Sequence, residues 1–390
     1  MKILKWILRL LKKLLIGLVG LILLAIILLY IFDYEYILKG VRVVYFTGHT
    51  TAYIDDFPHF DTHTIEAGTH KPIPKHKEYN SVKSTETLSQ TNQNLGTVAF
   101  LIIKNDSIWY EKYADGYGLE SKTNSFSMAK SIVTLMLGKA IEDGHIKSLE
   151  QPVSDFLPKF TEGKASKLTV GDLSSMASGL NWNEHYSSPF SITARSYYHD
   201  NIRDLMLGLE VIEEPGQAFD YKSGATELLA MAIEKATGTT LSKYLSQSFW
   251  KPLGMASDGI WQVDSEESGL EKAYCCIGSN ARDFARFGLL VNHQGRFQGQ
   301  QILAPSFINK ITTARFSESP QYGYGYWLSD YKGKKIKYMR GILGQYTVSI
   351  PEDNLVIVRL GHQRGSPIED NPHFDDFFTY IDESYKMLGQ

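Results

Sequence analysis

The hydrophobic and polar positions of this chain predict an apolar first segment, a polar stretch without a clear period, and a long region of strands and helices. An uncharged run extends from Leu14 to Phe32. As a helix rising about 1.5 Å per residue, this run nearly matches the roughly 30 Å hydrocarbon core of a bilayer. Residues 34 to about 90 are polar and rich in His, Thr, Pro and Lys, which indicates an extended lead-in.

Beyond the lead-in, strand patterns occur at both ends and helical patterns between them. Residues 96–110 predict a β-hairpin with an Asn-Asp turn, and the apolar segment 126–143 predicts a buried helix. Residues 145 to about 265 predict a mainly helical subdomain. Further predicted elements are helices at Ala225–Ala236 and Asn280–Val291 and strands at Tyr322–Leu328, Ile336–Met339, Tyr346–Pro351 and Asn354–Leu360. The pattern therefore predicts an α+β fold, in which an antiparallel sheet with paired termini is flanked by helices and carries a helical insertion.

The distribution of charge around the apolar run predicts how the chain is organised. Five basic residues precede the run, whereas Asp33 and Glu35 follow it, so the positive-inside rule puts the N-terminus in the cytoplasm. A cleaved signal peptide is the rival, but its apolar region is usually about 7–15 residues long and ends at a small-x-small site. The sequence thus favours a cytoplasmic segment and single transmembrane anchor over 1–33, a lead-in over 34–90, and a folded domain over 91–390 outside the cytoplasm, on the periplasmic or extracellular face.

Composition and residue spacing argue against nucleic-acid binding and against a metal or other cofactor. The chain has 390 residues, 43% of them hydrophobic and 21% charged, and a net charge of −3, which gives no reason to expect a nucleic-acid partner. His, Cys and carboxylate residues show no metal-binding spacing, so neither a metal nor another cofactor is expected. The adjacent Cys275 and Cys276 are expected to be small buried side chains without a structural disulfide, because neighbours in sequence rarely meet disulfide geometry.

The strongest chemical signal is Ser127-Met128-Ala129-Lys130 at the start of the predicted buried helix. Residues at i and i+3 lie on one helical face, so the lysine amine can reach the serine hydroxyl. A serine becomes a good nucleophile when a neighbouring base takes its proton, and a buried amine loses its charge more easily than an exposed one. The first turn of a helix also offers unpaired N–H groups to a developing oxyanion.

The same spacing occurs twice more, which calibrates the pattern. Ser248 and Lys251 precede Pro252 at the end of an element, and Ser329 and Lys332 lie in a polar turn. Only Ser127 begins a long apolar helix. The structural alternative for Ser127 and Lys130 is a helix-capping serine with a lysine that extends to solvent.

Three motifs in order give the chain a resemblance to the serine β-lactamase and penicillin-binding-protein-like family, in particular to its branch of class C β-lactamases, esterases and 6-aminohexanoate-dimer hydrolases. The first is the Ser127 motif. The second is Tyr221-Lys222-Ser223, which resembles the family's Tyr-x-Asn/Ser element. The third is Arg340-Gly341-Ile342-Leu343-Gly344, where the family has its Lys-Thr-Gly strand edge. The resemblance covers roughly residues 95–365.

This resemblance implies a role for each matching residue. Ser127 would attack a carbonyl, and Lys130 and Tyr221 would share the work of general base and acid. The N–H groups of Ser127 and Ile342 would hold the oxyanion. Substrate contacts would come from Tyr186, Ser223, Gly341 and Gly344. The structural alternatives are a helix-start tyrosine at Tyr221 and a cleft-rim aromatic without a specific role at Tyr186.

Three departures from the family's motifs bear on the substrate. Arg340 stands where the family has the lysine that helps to hold a β-lactam carboxylate, Ser223 replaces an asparagine, and Met176 stands where many relatives have histidine. These changes argue against penicillinase activity more than against hydrolysis.

Three functions remain open from the sequence. The favoured one is a membrane-anchored serine hydrolase that cleaves a small amide or ester through an acyl-enzyme. The alternatives are a D-alanyl-D-alanine peptidase or other wall-editing enzyme, and a catalytically inactive binding module with the same fold. The sequence does not define the substrate, the principal base or the oligomeric state.

Overall fold

Helices and strands alternate along the computed structural model, which describes residues 1–389. The helices are α1 (Lys2–Ile31), α2 (Tyr36–Val44), α3 (Glu86–Asn94), α4 (Met128–Glu142), α5 (Val170–Ser174), α6 (Ile192–Tyr198), α7 (Ile202–Leu207), α8 (Ser223–Thr237), α9 (Leu241–Leu245), α10 (Ala281–Asn292), α11 (Pro305–Ile311) and α12 (Asp375–Met387). The strands are β1 (Thr62–Ile65), β2 (Thr97–Lys104), β3 (Ser107–Tyr113), β4 (Thr123–Asn124), β5 (Gly259–Gln262), β6 (Ile277–Ser279), β7 (Arg296–Phe297), β8 (Gln300–Gln301), β9 (Trp327–Tyr331), β10 (Lys334–Arg340), β11 (Tyr346–Ile350) and β12 (Leu355–Gly361).

The main sheet contains six antiparallel strands in the order β3-β2-β12-β11-β10-β9. β2, near the start of the domain, pairs with β12, near its end, so the predicted pairing of the termini is confirmed. Helices α4 and α10 cover one face, where Gly288 lies against Val356 and Thr347 bonds to Met128. α12 covers the opposite face through the stacked rings of Phe377 and Tyr338. The α+β fold class is therefore confirmed.

A second, smaller sheet has the order β1-β5-β6-β4, and its first strand comes from the lead-in. The buried carboxylate of Asp56, also in the lead-in, accepts hydrogen bonds from Tyr197, Gln262 and Asn124 at 2.6, 2.9 and 3.3 Å. Residues 34–90 thus contain α2, β1 and the start of α3, and they contact several parts of the domain. Because β6 and β4 are neighbours in this sheet, it also fixes the loop that leads to Ser127.

Local patterns predicted most elements well, with one error. Asn105 and Asp106 have φ values of 48° and 62°, the left-handed conformations that a tight hairpin turn requires. The predicted strand Tyr322–Leu328 is wrong for most of its length, since β9 begins only at Trp327. The alternating Tyr and Gly residues of 322–326 imitate a strand period, but the chain reverses there so that Tyr322 bridges to Trp327.

Helix α1 contains no buried residue over its whole length. Within residues 1–389, it is the one helix that is long and apolar enough to cross a membrane.

Candidate active site

Ser127 and Lys130 meet at the N-terminal end of α4. The amine Nζ of Lys130 donates to Ser127 Oγ at 2.9 Å and to the backbone carbonyl of Tyr274 at 2.9 Å. Lys130 is only 2% exposed, because the α4 residues on either side of it are buried in the core. The capping alternative for Ser127 is not observed, since its hydroxyl makes no side-chain cap bond to α4.

The loop before Ser127 is held in a constrained backbone conformation. Phe126 has φ = 44°, a left-handed value that is uncommon for a bulky residue. Its N–H bonds to the side chain of Asn124 at 2.8 Å, and Ser125 pairs with Ile277 of β6 through its backbone N–H and its hydroxyl. Surrounding contacts of this kind stabilise an unfavourable conformation, which turns Ser127 toward the cleft.

Tyr221 lies beside the amine, as the order of motifs predicts. The centroid of its ring is 5.0 Å from Lys130 Nζ. The ring packs against Trp327 at 5.6 Å between centroids and edge-on against Tyr322 at 6.1 Å. These two aromatic neighbours hold the ring of Tyr221 in place, and the structure brings this ring beside the Lys130 and Ser127 pair.

The segment that carries Tyr221 is bound to the loop at residues 176–180. Asp220 N–H donates to the Met176 carbonyl at 2.7 Å, and Lys222 Nζ donates to the Leu180 carbonyl at 2.7 Å. Met176 itself has φ = 58°. These contacts give the loop a positioning role, because they fix the residues on both sides of Tyr221.

The turn between β10 and β11 carries Ile342 to the cleft. Gly344 N–H closes the turn on the Gly341 carbonyl at 3.1 Å, and Gly344 has φ = 81°. A Cβ atom at Gly341 would lie 2.7 Å from the carbonyl oxygen of Ser125. Gly341 and Gly344 thus allow the strand end to approach the Ser127 loop closely. Within residues 1–389, the N–H groups of Ser127 and Ile342 donate to no protein acceptor.

A cleft with a cavity volume of about 140 Å³ opens at Ser127. Aromatic and aliphatic side chains dominate its walls, together with the polar Ser223 and Thr193. The lining residues relevant to the site are Ser127, Tyr186, Ser223, Tyr274, Cys275 and Ile342. A cavity of this size and polarity accommodates a small, mostly apolar group beside the nucleophile.

Tyr186 and Ser223 belong to a hydrogen-bonded cluster around Glu184. The Glu184 carboxylate accepts from the Tyr186 hydroxyl, from the N–H and hydroxyl of Ser223 at 2.6 Å each, and from Trp182 Nε1 at 2.7 Å. Glu184 is not among the site residues predicted from the sequence, although it stands two residues before Tyr186. A carboxylate that accepts from four donors is well placed to position both cleft residues.

Arg340 engages Trp327 and Pro372 through its guanidinium and makes no hydrogen bond to Ser127 within residues 1–389. Its guanidinium carbon lies 3.4 Å from the ring centroid of Trp327, and its Nη1 donates to the Pro372 carbonyl at 2.8 Å. The other two Ser-x-x-Lys lysines also lie outside the site, since Lys251 pairs with Glu66 at 2.8 Å and Lys332 with Asp382 at 2.7 Å.

Cys275 and Cys276 are buried as expected, but the expected absence of a disulfide is wrong, because the two side chains form one. Cys276 has φ = 78°, so this short segment departs from ordinary backbone conformations. Cys275 also lines the cleft, directly after the Tyr274 carbonyl that binds Lys130. The sequence offered no motif for that acceptor, because any residue type supplies a backbone carbonyl.

A group of possible metal ligands lies away from Ser127, at the end of α1. Asp33, Glu35 and His199 each offer one ligand atom within 4.8 Å of the others. The guanidinium of Arg195 already pairs with Asp33, which would compete with a cation.

Comparison with known proteins identifies the family and the fold of this chain. A family model described as Beta-lactamase matches residues 82–375. The 6-aminohexanoate-dimer hydrolase of Paenarthrobacter ureafaciens is 24% identical over 296 residues, which cover 70% of this chain and 74% of the relative.

Two solved structures show the same fold. A "Putative 6-aminohexanoate-dimer hydrolase" from Bacillus anthracis superposes with a TM-score of 0.73 at 20% identity, covering 90% of this chain and 93% of that one. The octameric penicillin-binding protein homologue from Pyrococcus abyssi has a TM-score of 0.58 at 19% identity, covering 78% and 76%. Since the family model spans most of the domain, from α3 to the start of α12, the chain belongs to the beta-lactamase family, whose fold is shared by serine hydrolases of amide and ester bonds.

Proposed function

We propose that this protein is a membrane-anchored serine hydrolase that cleaves a small amide or ester through an acyl-enzyme on Ser127. The observation that carries the proposal is the 2.9 Å hydrogen bond between Lys130 Nζ and Ser127 Oγ at the mouth of the cleft. A buried amine that contacts a hydroxyl beside an open cleft is the arrangement that nucleophilic catalysis needs.

Acylation begins when Ser127 Oγ attacks the substrate carbonyl carbon and its proton passes to the Lys130 and Tyr221 pair. The carbonyl oxygen becomes negative and accepts from the N–H groups of Ser127 and Ile342, which have no competing protein acceptor within residues 1–389. As the bond to the leaving nitrogen or oxygen breaks, the same pair returns the proton to that atom. Water then attacks the acyl-enzyme by the reverse proton path, which releases the acid and restores Ser127.

The anchor in this proposal is α1, kept uncleaved. Its exposed apolar length suits a bilayer, and the basic residues at its start favour a cytoplasmic N-terminus. The hydrolase domain then lies on the periplasmic or extracellular face.

A D-alanyl-D-alanine peptidase is less well supported. Such an enzyme needs a cation for the terminal carboxylate of its substrate, and Arg340 is instead stacked on Trp327 and bonded to Pro372. Direct measurement of D-alanine release from a muropeptide separates this activity from general ester and amide hydrolysis.

The test uses the full chain in detergent, a fluorophosphonate probe and a soluble aryl ester. Ser127→Ala is expected to abolish labelling, and Lys130→Met to slow turnover about 10²–10⁴-fold, the range typical of a lost general base. Lys332→Met is the matched control, because this lysine has the same Ser-x-x-Lys spacing but pairs with Asp382 at 2.7 Å. A folded protein that is neither labelled nor active on a broad ester and amide panel would instead support the inactive binding module.

A further inference from the structure

Helix α6 connects the catalytic cleft to the end of the anchor. Ala194 and Tyr198 line the cleft with Ser127. Arg195, between them, forms an ion pair with Asp33, which lies two residues beyond the end of α1. One short helix therefore touches both the cleft and the point at which the chain leaves the proposed membrane segment.

Several contacts fix this arrangement. Tyr34 packs edge-on against Phe190 with 5.3 Å between ring centroids, and the Tyr36 hydroxyl donates to the Pro189 carbonyl at 3.0 Å. Farther along α2, Lys39 pairs with Asp200 at 2.5 Å. These contacts join the first residues after α1 to the segment around α6, so the domain cannot move far from the anchor.

The dimensions put the cleft close to the bilayer surface. A helix with its side chains is about 10–12 Å across, and the cleft lies on one side of α6 while Asp33 lies on another. The headgroup layer of one leaflet is about 5–8 Å thick. With Asp33 at the hydrocarbon boundary, the wall of the cleft that α6 forms lies about one helix diameter from that boundary, a distance comparable with the thickness of the headgroup layer.

Exposed aromatic side chains surround the end of α1. Phe46 is 81% exposed and Phe190 is 62% exposed. Phe46, Arg42 and Tyr30 line the same hollow, so the end of α2 lies beside the end of α1. Exposed aromatic rings at the level where a helix would leave the hydrocarbon core are typical of surfaces that enter the headgroup region of a membrane.

We propose that Phe46 and Phe190 seat the domain on the outer leaflet, and that the substrate is an amphiphilic ester or amide held in that leaflet. This inference rests on the proposed acyl transfer at Ser127 and adds the class of substrate. The scissile carbonyl enters the cleft from the headgroup layer while the apolar part of the substrate remains in the bilayer. Attack by Ser127 breaks the bond to the leaving group, and water then releases the acid.

The first experiment tests the surface without using activity. The full chain is inserted into phosphatidylcholine and phosphatidylglycerol vesicles, and Phe46→Cys is labelled with an environment-sensitive fluorophore. Val82→Cys is the matched control, because Val82 is an exposed apolar residue in another part of the molecule. Brominated lipids are expected to quench the probe at residue 46 at least threefold more than the probe at 82, whereas equal quenching would overturn the seating.

The second experiment tests the substrate class with two esters that share a leaving group. One has a short acyl chain and is soluble; the other has a long acyl chain and is embedded in the vesicles. The double variant Phe46→Ser and Phe190→Ser is expected to lower turnover of the embedded ester about tenfold or more and to leave the soluble ester unchanged. Equal effects on both esters, or turnover of the soluble ester alone, would overturn the substrate proposal while Ser127 still reacts with fluorophosphonate. No labelling and no turnover of either ester would instead remove the proposed function.

Discussion

Gly341 shows how much the geometry around Ser127 depends on the absence of one methyl group. A Cβ atom there would lie 2.7 Å from the Ser125 carbonyl oxygen and 2.5 Å from the side-chain oxygen of Gln345. Gly341→Ala is therefore expected to lower the free energy of unfolding by about 1–3 kcal/mol, as overpacking commonly does, and to reduce turnover. Gly118→Ala is the control, since its Cβ would meet nothing within 4 Å. Denaturant unfolding would measure the stability of both variants, and equal free energies of unfolding would contradict the steric explanation.

The burial of Glu227 leads us to expect that the stability of the protein depends on pH. Complete burial raises the pKa of Glu227 to about 8, against the opposing effect of the N–H groups of Ala273 and Tyr274. Native Glu227 thus keeps its proton up to about pH 8, whereas the unfolded chain releases it near 4.5. The native state binds more protons across this interval, so this residue's contribution to the free energy of unfolding falls as pH rises.

Glu227→Gln is expected to remove that slope, which is at most about 1.4 kcal/mol per pH unit. Denaturant unfolding at several values from pH 5 to pH 7 would measure this slope. Above that interval Lys272 adds the opposite trend, because burial lowers its pKa to about 7. Glu234→Gln, at a less buried position on the same helix, is expected to follow the unmodified protein. Parallel slopes for all three proteins would refute the assignment.

At the scale of single residues, only part of the site could be predicted from the sequence. Ser127, Lys130 and Tyr221 could be recognised because their residue types and order are unusual. The Tyr274 carbonyl could not be recognised, because it is a backbone acceptor that lies 144 residues from Lys130 in the sequence. Glu184 was visible only as a carboxylate near Tyr186, and its four donors come from the fold.

At the scale of elements, the segment before α8 is expected to position Tyr221. Lys222→Met removes the bond from Nζ to the Leu180 carbonyl and the ion pair with Asp220. We expect kcat to fall about 10–100-fold, since small displacements of a catalytic group have effects of this size. Steady-state kinetics should show little change in KM and partial recovery in Lys222→Arg. An unchanged kcat would mean that the aromatic contacts of Tyr221 suffice to position it.

Sequence patterns predicted elements whose signals are local. The turn at Asn105 and Asp106 and the buried helix α4 follow from residues close to one another in sequence. The error at residues 322–328 has a related cause, because alternating Tyr and Gly residues have a strand period but the glycines also permit reversal of the chain. Gly325 has φ = 69° at that reversal.

For the whole molecule, the contacts of the lead-in make it part of the folded unit. β1 forms one edge of the smaller sheet, and Ile54, Ile65 and Asp56 are completely buried. A chain beginning at residue 34 is expected to be soluble, monodisperse and cooperative in thermal unfolding. A chain beginning at residue 91 would expose these contact surfaces and is expected to aggregate or lose its sharp transition. Light scattering and calorimetry on the two chains would decide, and equal stability would contradict a structural role for the lead-in.

The overall α+β class could be predicted from strands at both ends of the domain, but the role of the lead-in could not. Its pairing partner β5 lies nearly 200 residues away, and no period in residues 34–90 signals a strand. Long-range pairings of this kind depend on the complete packing of the molecule.

The bond between Cys275 and Cys276 bears on which side of a membrane the domain would fold if α1 is the anchor that we propose. Reductants in the cytosol keep thiols free, whereas extracytoplasmic spaces preserve sulfur pairs. A domain folded on the inner side would carry two alkylatable sulfhydryls at the wall of the cleft that contains Ser127. One folded on the outer side would carry none, so the oxidation state of this pair in intact cells records the orientation of the whole polypeptide.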